Sequence, residues 1–149
     1  MMRPESLLRL VLPLALLSLA SCEEKRARLA ITDVHAVAVG KMASAYFTIG
    51  NSGGADRLVR VEAPETGMAS LHDMSMEGGV MRMREAKDGF DLPAGEGLIL
   101  APQGRHVMIM ADKDIEPGTK MPLVLHFEKH RPMALSVPVE GPDSGEDEQ

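Results

Sequence analysis

Between His72 and Met110 the chain places two histidines and six of its twelve methionines. Imidazole nitrogen together with thioether sulfur is the donor set that suits Cu(I). The donors come in small groups at even spacing. His106 and Met108 lie two apart in RHVMIM, Met81 and Met83 two apart in GVMRMRE, and His72 sits in ASLHDM. In an extended strand, residues i and i+2 share a face about 6.5–7 Å apart, so each pair can converge on one ion. Glu77-Gly78-Gly79 is a turn signal that folds the segment after His72 back beside it. Four soft or borderline donors from separate segments then surround a single metal, with no carboxylate required. A lone methionine on a strand is usually core filling, so each methionine taken alone reads as packing. His35, His126 and His130 are read as surface histidines, and Arg105 as a solvated charge.

The elements that must position these donors read as strands. LAITDVHAVAV, SAYFTIG, RLVRVEA, ASLHDM, GVMRMRE, GLILA, RHVMIMA, MPLVLHFE and MALSVPV are short apolar runs separated by Gly, Pro, Asn and Asp. No long window after the N-terminal segment carries a 3.6-residue period. The spacing predicts an all-β, antiparallel β-sandwich. With 149 residues there is room for one domain, expected over residues 29–140. Residues 141–149 (GPDSGEDEQ) have nothing apolar to bury and are expected to be a disordered acidic tail. With three Phe, one Tyr and no Trp, the core must be built from aliphatic residues and Met. A net charge of −6 without a basic stretch in the domain argues against a phosphate-backbone partner, so no nucleic acid is expected.

The single cysteine is explained by its position. Residues 1–21 have Arg3 and Arg9 ahead of a short apolar run, Leu10 to Leu19, too short to span a bilayer and typical of a signal peptide. Leu19-Ala20-Ser21-Cys22 resembles the bacterial lipobox, in which the cysteine becomes the lipid-bearing first residue of the mature protein. Residues 22–28 then form a tether. The expected location is the periplasmic face of a bacterial membrane. Glu23 stands where an inner-membrane retention Asp is found, which favours the outer membrane.

The spacing of the donors carries a family resemblance. His72, ten residues, Met83, twenty-two residues, His106, one residue, Met108 resembles the H-x10-M-x22-H-x-M signature of the periplasmic PCuAC copper chaperones. AYFTIGNSGGADRLV, GGVMRMR, LPAGEGLILAPQGRHVMIM and PLVLHFEK are similar to the same family, so the resemblance runs from about Ile31 to Val139. It implies a cupredoxin-like Greek-key β-sandwich holding one Cu(I) ion through His72, Met83, His106 and Met108, which leaves Met74, Met76, Met81 and Met110 as a collar or as packing. It implies supply of copper to the CuA centre of cytochrome c oxidase, directly or through another assembly chaperone. The first strand departs from the family pattern, with His35-Ala36 where an aromatic is usual. The tail has neither His nor Met, so one site is expected.

Other chemistries fit less well. Catalytic zinc prefers His with carboxylate or Cys and keeps a position open for water. A blue-copper carrier needs a thiolate in the domain, and the only cysteine belongs to the lipobox. No nucleophile–base arrangement stands out, so an enzyme is not expected. The remaining alternatives are a copper-sequestering or resistance lipoprotein using the same donors, and a metal-free β-sandwich interaction module.

Overall fold

Buried residues alternate with half-exposed ones along Met42–Asn51. Ala43, Ala45, Phe47 and Ile49 enter the core while Ser44, Tyr46 and Thr48 lie on the opposite face. A period of two with one face buried makes this segment a strand. In the computed structural model, which describes residues 25–142, it is the second of ten strands. They are β1 (Leu29–Val39), β2 (Met42–Asn51), β3 (Asp56–Glu62), β4 (Gly67–Glu77), β5 (Val80–Glu85), β6 (Phe90–Leu92), β7 (Gly97–Leu100), β8 (His106–Ala111), β9 (Lys120–Phe127) and β10 (Met133–Glu140). The expected signal segment, Cys22 and residues 143–149 lie outside the described residues. The strand missed by sequence reading is β6, because three residues are too few to display a period. Its Phe90 and Leu92 are nonetheless buried.

The strand order is β5-β4-β8-β2-β1-β10-β9-β3-β6, with β7 pairing with β2. Two faces close on one core. Ala36, Ala45, Phe47, Leu71, Val107 and Ile109 come from one layer, and Leu58, Val61, Leu123, Leu125 and Val137 from the other. The all-β sandwich expected from the sequence is the fold found. Neighbouring strands pair antiparallel except where β1 meets β10 in parallel, Ala36 beside Val139, so the sheet is mixed at that joint.

Two local devices set which residues reach the outer face. The register of β1 against β2 slips between Thr32 and His35, with Asp33 at φ 56°. One extra residue reverses the inside–outside alternation of everything after it. Leu29 and Ile31 pack on the core before the bulge and Ala36 and Ala38 after it, and His35 is turned outward beside Tyr46. At the other edge, β4 and β5 are joined through Gly78 and Gly79, at φ 58° and 79°. Two consecutive positive φ values make the two-residue hairpin turn that matches strand twist. Lys25–Arg28, expected within the tether, lie along the β2–β3 turn. Ser52 N–H donates to the Arg28 carbonyl and Gly54 N–H to the Arg26 carbonyl, and Ala27 is buried.

Gly67 opens β4 where it runs closest to β8. A Cβ there would lie 2.1 Å from the Met110 carbonyl oxygen, which is backbone and cannot move aside. Gly67→Ala is expected to cost about 1–3 kcal/mol through overpacking. Gly78→Ala meets nothing within 4 Å and carries only the left-handed backbone penalty of about 1–2 kcal/mol. Urea unfolding of the two variants measures both, and only Gly67→Ala should also disturb the β4–β8 amide resonances.

Candidate metal centre

The donors are brought together by strand register. In β4 the odd residue Leu71 is buried, so the even residues Ser70, His72, Met74 and Met76 take the outer face; in β8, Val107 and Ile109 are buried and His106, Met108 and Met110 face out. The β4–β8 register sets His72 directly opposite His106 and Ser70 opposite Met108. Their imidazole centroids are 5.7 Å apart. Met108 is two residues along β8 from His106 and diagonal to His72. Met83 is opposite Met74 in the β4–β5 hairpin, and Glu85 is opposite His72, so Met83 is a diagonal neighbour of His72. Diagonal neighbours on one sheet face are within reach of long side chains. All four residues expected to bind metal therefore share one face within three adjacent strands.

Each histidine is held with one ring nitrogen to spare. His106, 5% exposed, donates from Nδ1 to the Gly104 carbonyl at 2.9 Å. A carbonyl only accepts, so the proton is on Nδ1 and Nε2 keeps its lone pair. The Gly104 carbonyl is aimed by the turn between β7 and β8, where Ala101 N–H donates to Arg105 O and Gly104 N–H to Ala101 O, and Gln103 has φ 63°. In His72, Nε2 is 2.9 Å from Ser70 Oγ, while Nδ1 is buried with no hydrogen-bond partner. An unpaired buried polar atom costs about 1–3 kcal/mol. When Nε2–H donates to Ser70, Nδ1 keeps a lone pair that no protein group pairs. Outer hydrogen bonds that fix ring orientation and tautomer are the usual support of histidine ligands. Sequence reading missed Ser70 and Gly104, because neither role shows before the strands are paired.

A cleft of about 430 Å³ opens over this face, lined by His106, Met108, Met83, Met74, Gln103 and Tyr46 among others. Tyr46 lies between two imidazoles, 6.4 Å from His106 and 5.3 Å from His35 by ring centroids. His35, read as a plain surface residue, thus completes a row of rings across β1, β2, β8 and β4. Of the methionines left over, Met76 is 65% exposed, Met110 58% and Met81 40%, so these three do not serve as core filling, while Met74 is half-buried at the cleft. His126 and His130 stand apart. His126 lies on β9 with Nε2 3.4 Å from Glu62, and His130 Nδ1 donates to the Arg131 carbonyl. A second, larger cleft of about 710 Å³ is lined by Lys25, Arg26, Lys129, His130 and Arg131, and its positive charge repels a cation. Among the described residues no three His, Cys, Asp or Glu side chains form a metal-binding group.

Residues 29–139 match the family described as "Putative lipoprotein LpqE-like". The chain belongs to this family. A relative in Leifsonia xyli subsp. xyli, "Putative lipoprotein Lxx21020", is 37% identical over 101 residues, which is 66% of this chain and 60% of the relative. The chain thus spans about three-fifths of the relative it matches. Among solved structures, the fold is similar to a copper-bound PCuAC domain from PmoF2 (TM-score 0.62, 22% identity, 78% of this chain and 99% of that one). It is also similar to an apo PCuAC domain from PmoF1 (TM-score 0.62, 25% identity, 78% and 100%). A third similar structure is CuI-DR1885 from Deinococcus radiodurans (TM-score 0.58, 22% identity, 72% and 74%). The LpqE-like fold of this chain is that of PCuAC domains.

Burial, and then the neighbouring His106, lowers the pKa of His72 below the usual 6.5, against an opposing pull from Glu85. The unfolded chain takes up this proton near pH 6.5 and the fold resists it. Stability from this group is therefore complete above about pH 6.5 and is lost as pH falls toward the folded value. An NMR titration of the metal-free protein should show His72 titrating below a free imidazole. His106→Ala should move that midpoint upward, since it removes both cover and a like charge.

Proposed function

We propose that this LpqE-like protein is an extracytoplasmic copper carrier, binding one Cu(I) ion through His72, Met83, His106 and Met108 and passing it to an acceptor protein. One observation carries the reading. His72 and His106 oppose each other across β4–β8, each with one ring nitrogen left over from its hydrogen bond, and the one on His72 is buried and unpaired. Two methionines flank them on the same face. A copper-bound PCuAC domain and a Cu(I)-loaded protein of the same fold support the identity of the ion.

The chemistry of transfer follows from the donor set. Two imidazoles and two thioethers are all neutral, so the bound ion keeps its +1 charge and is not locked by a thiolate. A thiolate-bearing acceptor can displace these donors one at a time. The CuA subunit of cytochrome c oxidase, or a further assembly chaperone, is the acceptor this reading assigns. Cys22 is the proposed lipid attachment that holds the domain to a membrane, consistent with the lipoprotein description of the family and of the Leifsonia relative.

Anaerobic titration against a competing chelator should give one Cu(I) per chain, with binding lost in His106→Ala, Met108→Ala; equal affinity in variant and wild type would sink the site. Protons compete for the same lone pairs, so affinity should hold above neutrality and fall as pH drops through about 6.5. His72, whose proton is held less tightly than usual, gives up the metal at the lower end of that range. Mixing the loaded protein with an apo CuA domain tests delivery, since retention of the ion by the loaded protein indicates sequestration. Cys22→Ala should move the protein from the membrane fraction to the soluble fraction.

A further inference from the structure

The β4–β5 hairpin carries four methionines on one face, paired in register: Met74 opposite Met83 and Met76 opposite Met81. Its other face is polar, with Arg82 and Arg84 both paired to Glu77. Every residue of β5 is exposed, so these thioethers are not filling a core. Directly opposed side chains on a sheet have Cβ atoms about 4.5–5.5 Å apart, close enough for flexible methionines to share an ion. Met74 and Met83 line the same cleft as His106 and Met108. The hairpin is therefore a continuous sulfur surface running from solvent, at Met76 and Met81, to the histidine pair.

We propose that Met74, Met76 and Met81 form a thioether-only landing site through which the single Cu(I) ion enters and leaves the histidine centre. This rests on the copper reading above. The step is ligand exchange alone: copper stays Cu(I), a thioether of the hairpin is replaced by Met83 and then by an imidazole, and no proton or electron moves. Soft sulfur selects Cu(I) over harder ions at the surface. Thioethers carry no proton, so the landing site itself does not titrate. Two cations on adjacent rows repel, which keeps occupancy at one. A second run of methionines, Met68, Met110 and Met42, crosses β4, β8 and β2 in single file. Its end residues are two interstrand spacings apart, about 10 Å, a poorer fit to one small ion.

The test uses the mature chain carrying Cys22→Ser, ¹³C-methyl-methionine labelling, and Ag(I) as a redox-inert stand-in for Cu(I). In His72→Ala, His106→Ala, Ag(I) should bind more weakly than in wild type and shift the methyl signals of Met74, Met76 and Met81. Adding Met76→Leu, Met81→Leu should abolish those shifts. His72→Gln, His106→Gln, which keeps side-chain bulk and a polar tip, gives the same reading should the alanine variant fail to fold. In otherwise wild-type protein, Met76→Leu, Met81→Leu should slow Cu(I) transfer to an acceptor severalfold, whereas Met68→Leu, Met110→Leu should transfer at the wild-type rate. Shifts confined to Met42, Met68 and Met110, no methyl shift at all, or an unchanged transfer rate in Met76→Leu, Met81→Leu overturns the proposal. If hairpin shifts occur while wild type shows no histidine-dependent binding, the four-donor centre fails and the proposed route into it falls with it, leaving the hairpin as a thioether site only.

Discussion

The site depends on one pairing, β4 against β8 in the register that sets His72 across from His106. Because side chains alternate strictly along a strand, that register is enforced from the opposite face. Leu71, Val107 and Ile109 are buried at 4%, 0% and 0% exposure, and turning β8 over by one residue would take the last two out of the core and point His106 and Met108 into it. Each buried aliphatic side chain is worth about 1.5–3 kcal/mol, against a typical total stability of about 5–15 kcal/mol. A slipped register thus sacrifices a large part of the fold, and the core holds the two imidazoles in opposition without any contact of its own to a metal.

The same division of faces explains how a site rich in apolar sulfur coexists with an orderly core. Ala36, Ala38, Ala43 and Ala45 fill the inner side of β1 and β2. The outer side carries Val37, Ser44, Tyr46 and the histidine–methionine rows. Thioethers are neutral donors that suit a soft ion, and on this face they border solvent. The cost is exposed apolar surface on an edge hairpin, a usual hazard for strand-to-strand aggregation. Arg82 and Arg84, paired to Glu77 on the back of the hairpin, place charge along the β5 edge.

The sequence by itself determined nine of the ten strands, the turn at Gly78-Gly79 and the identity and spacing of the four proposed donors. These are local properties, written in period-two alternation, in glycine's tolerance of positive φ and in side-chain chemistry. It also showed a domain with no thiol to offer a metal. Only the tertiary structure decided what stands opposite what. Ser70 behind His72, the Gly104 carbonyl behind His106 and the Tyr46–His35 rings are neighbours through pairing across strands or through a turn whose shape depends on that pairing. The bulge in β1 was hidden because LAITDVHAVAV reads as uninterrupted strand, although one extra residue reverses its faces. Exposure of Met76, Met81 and Met110 was equally illegible, since a methionine on a strand reads the same whether its face meets a second layer or water. Alternation tells that a strand has two faces; only packing tells which one is inside.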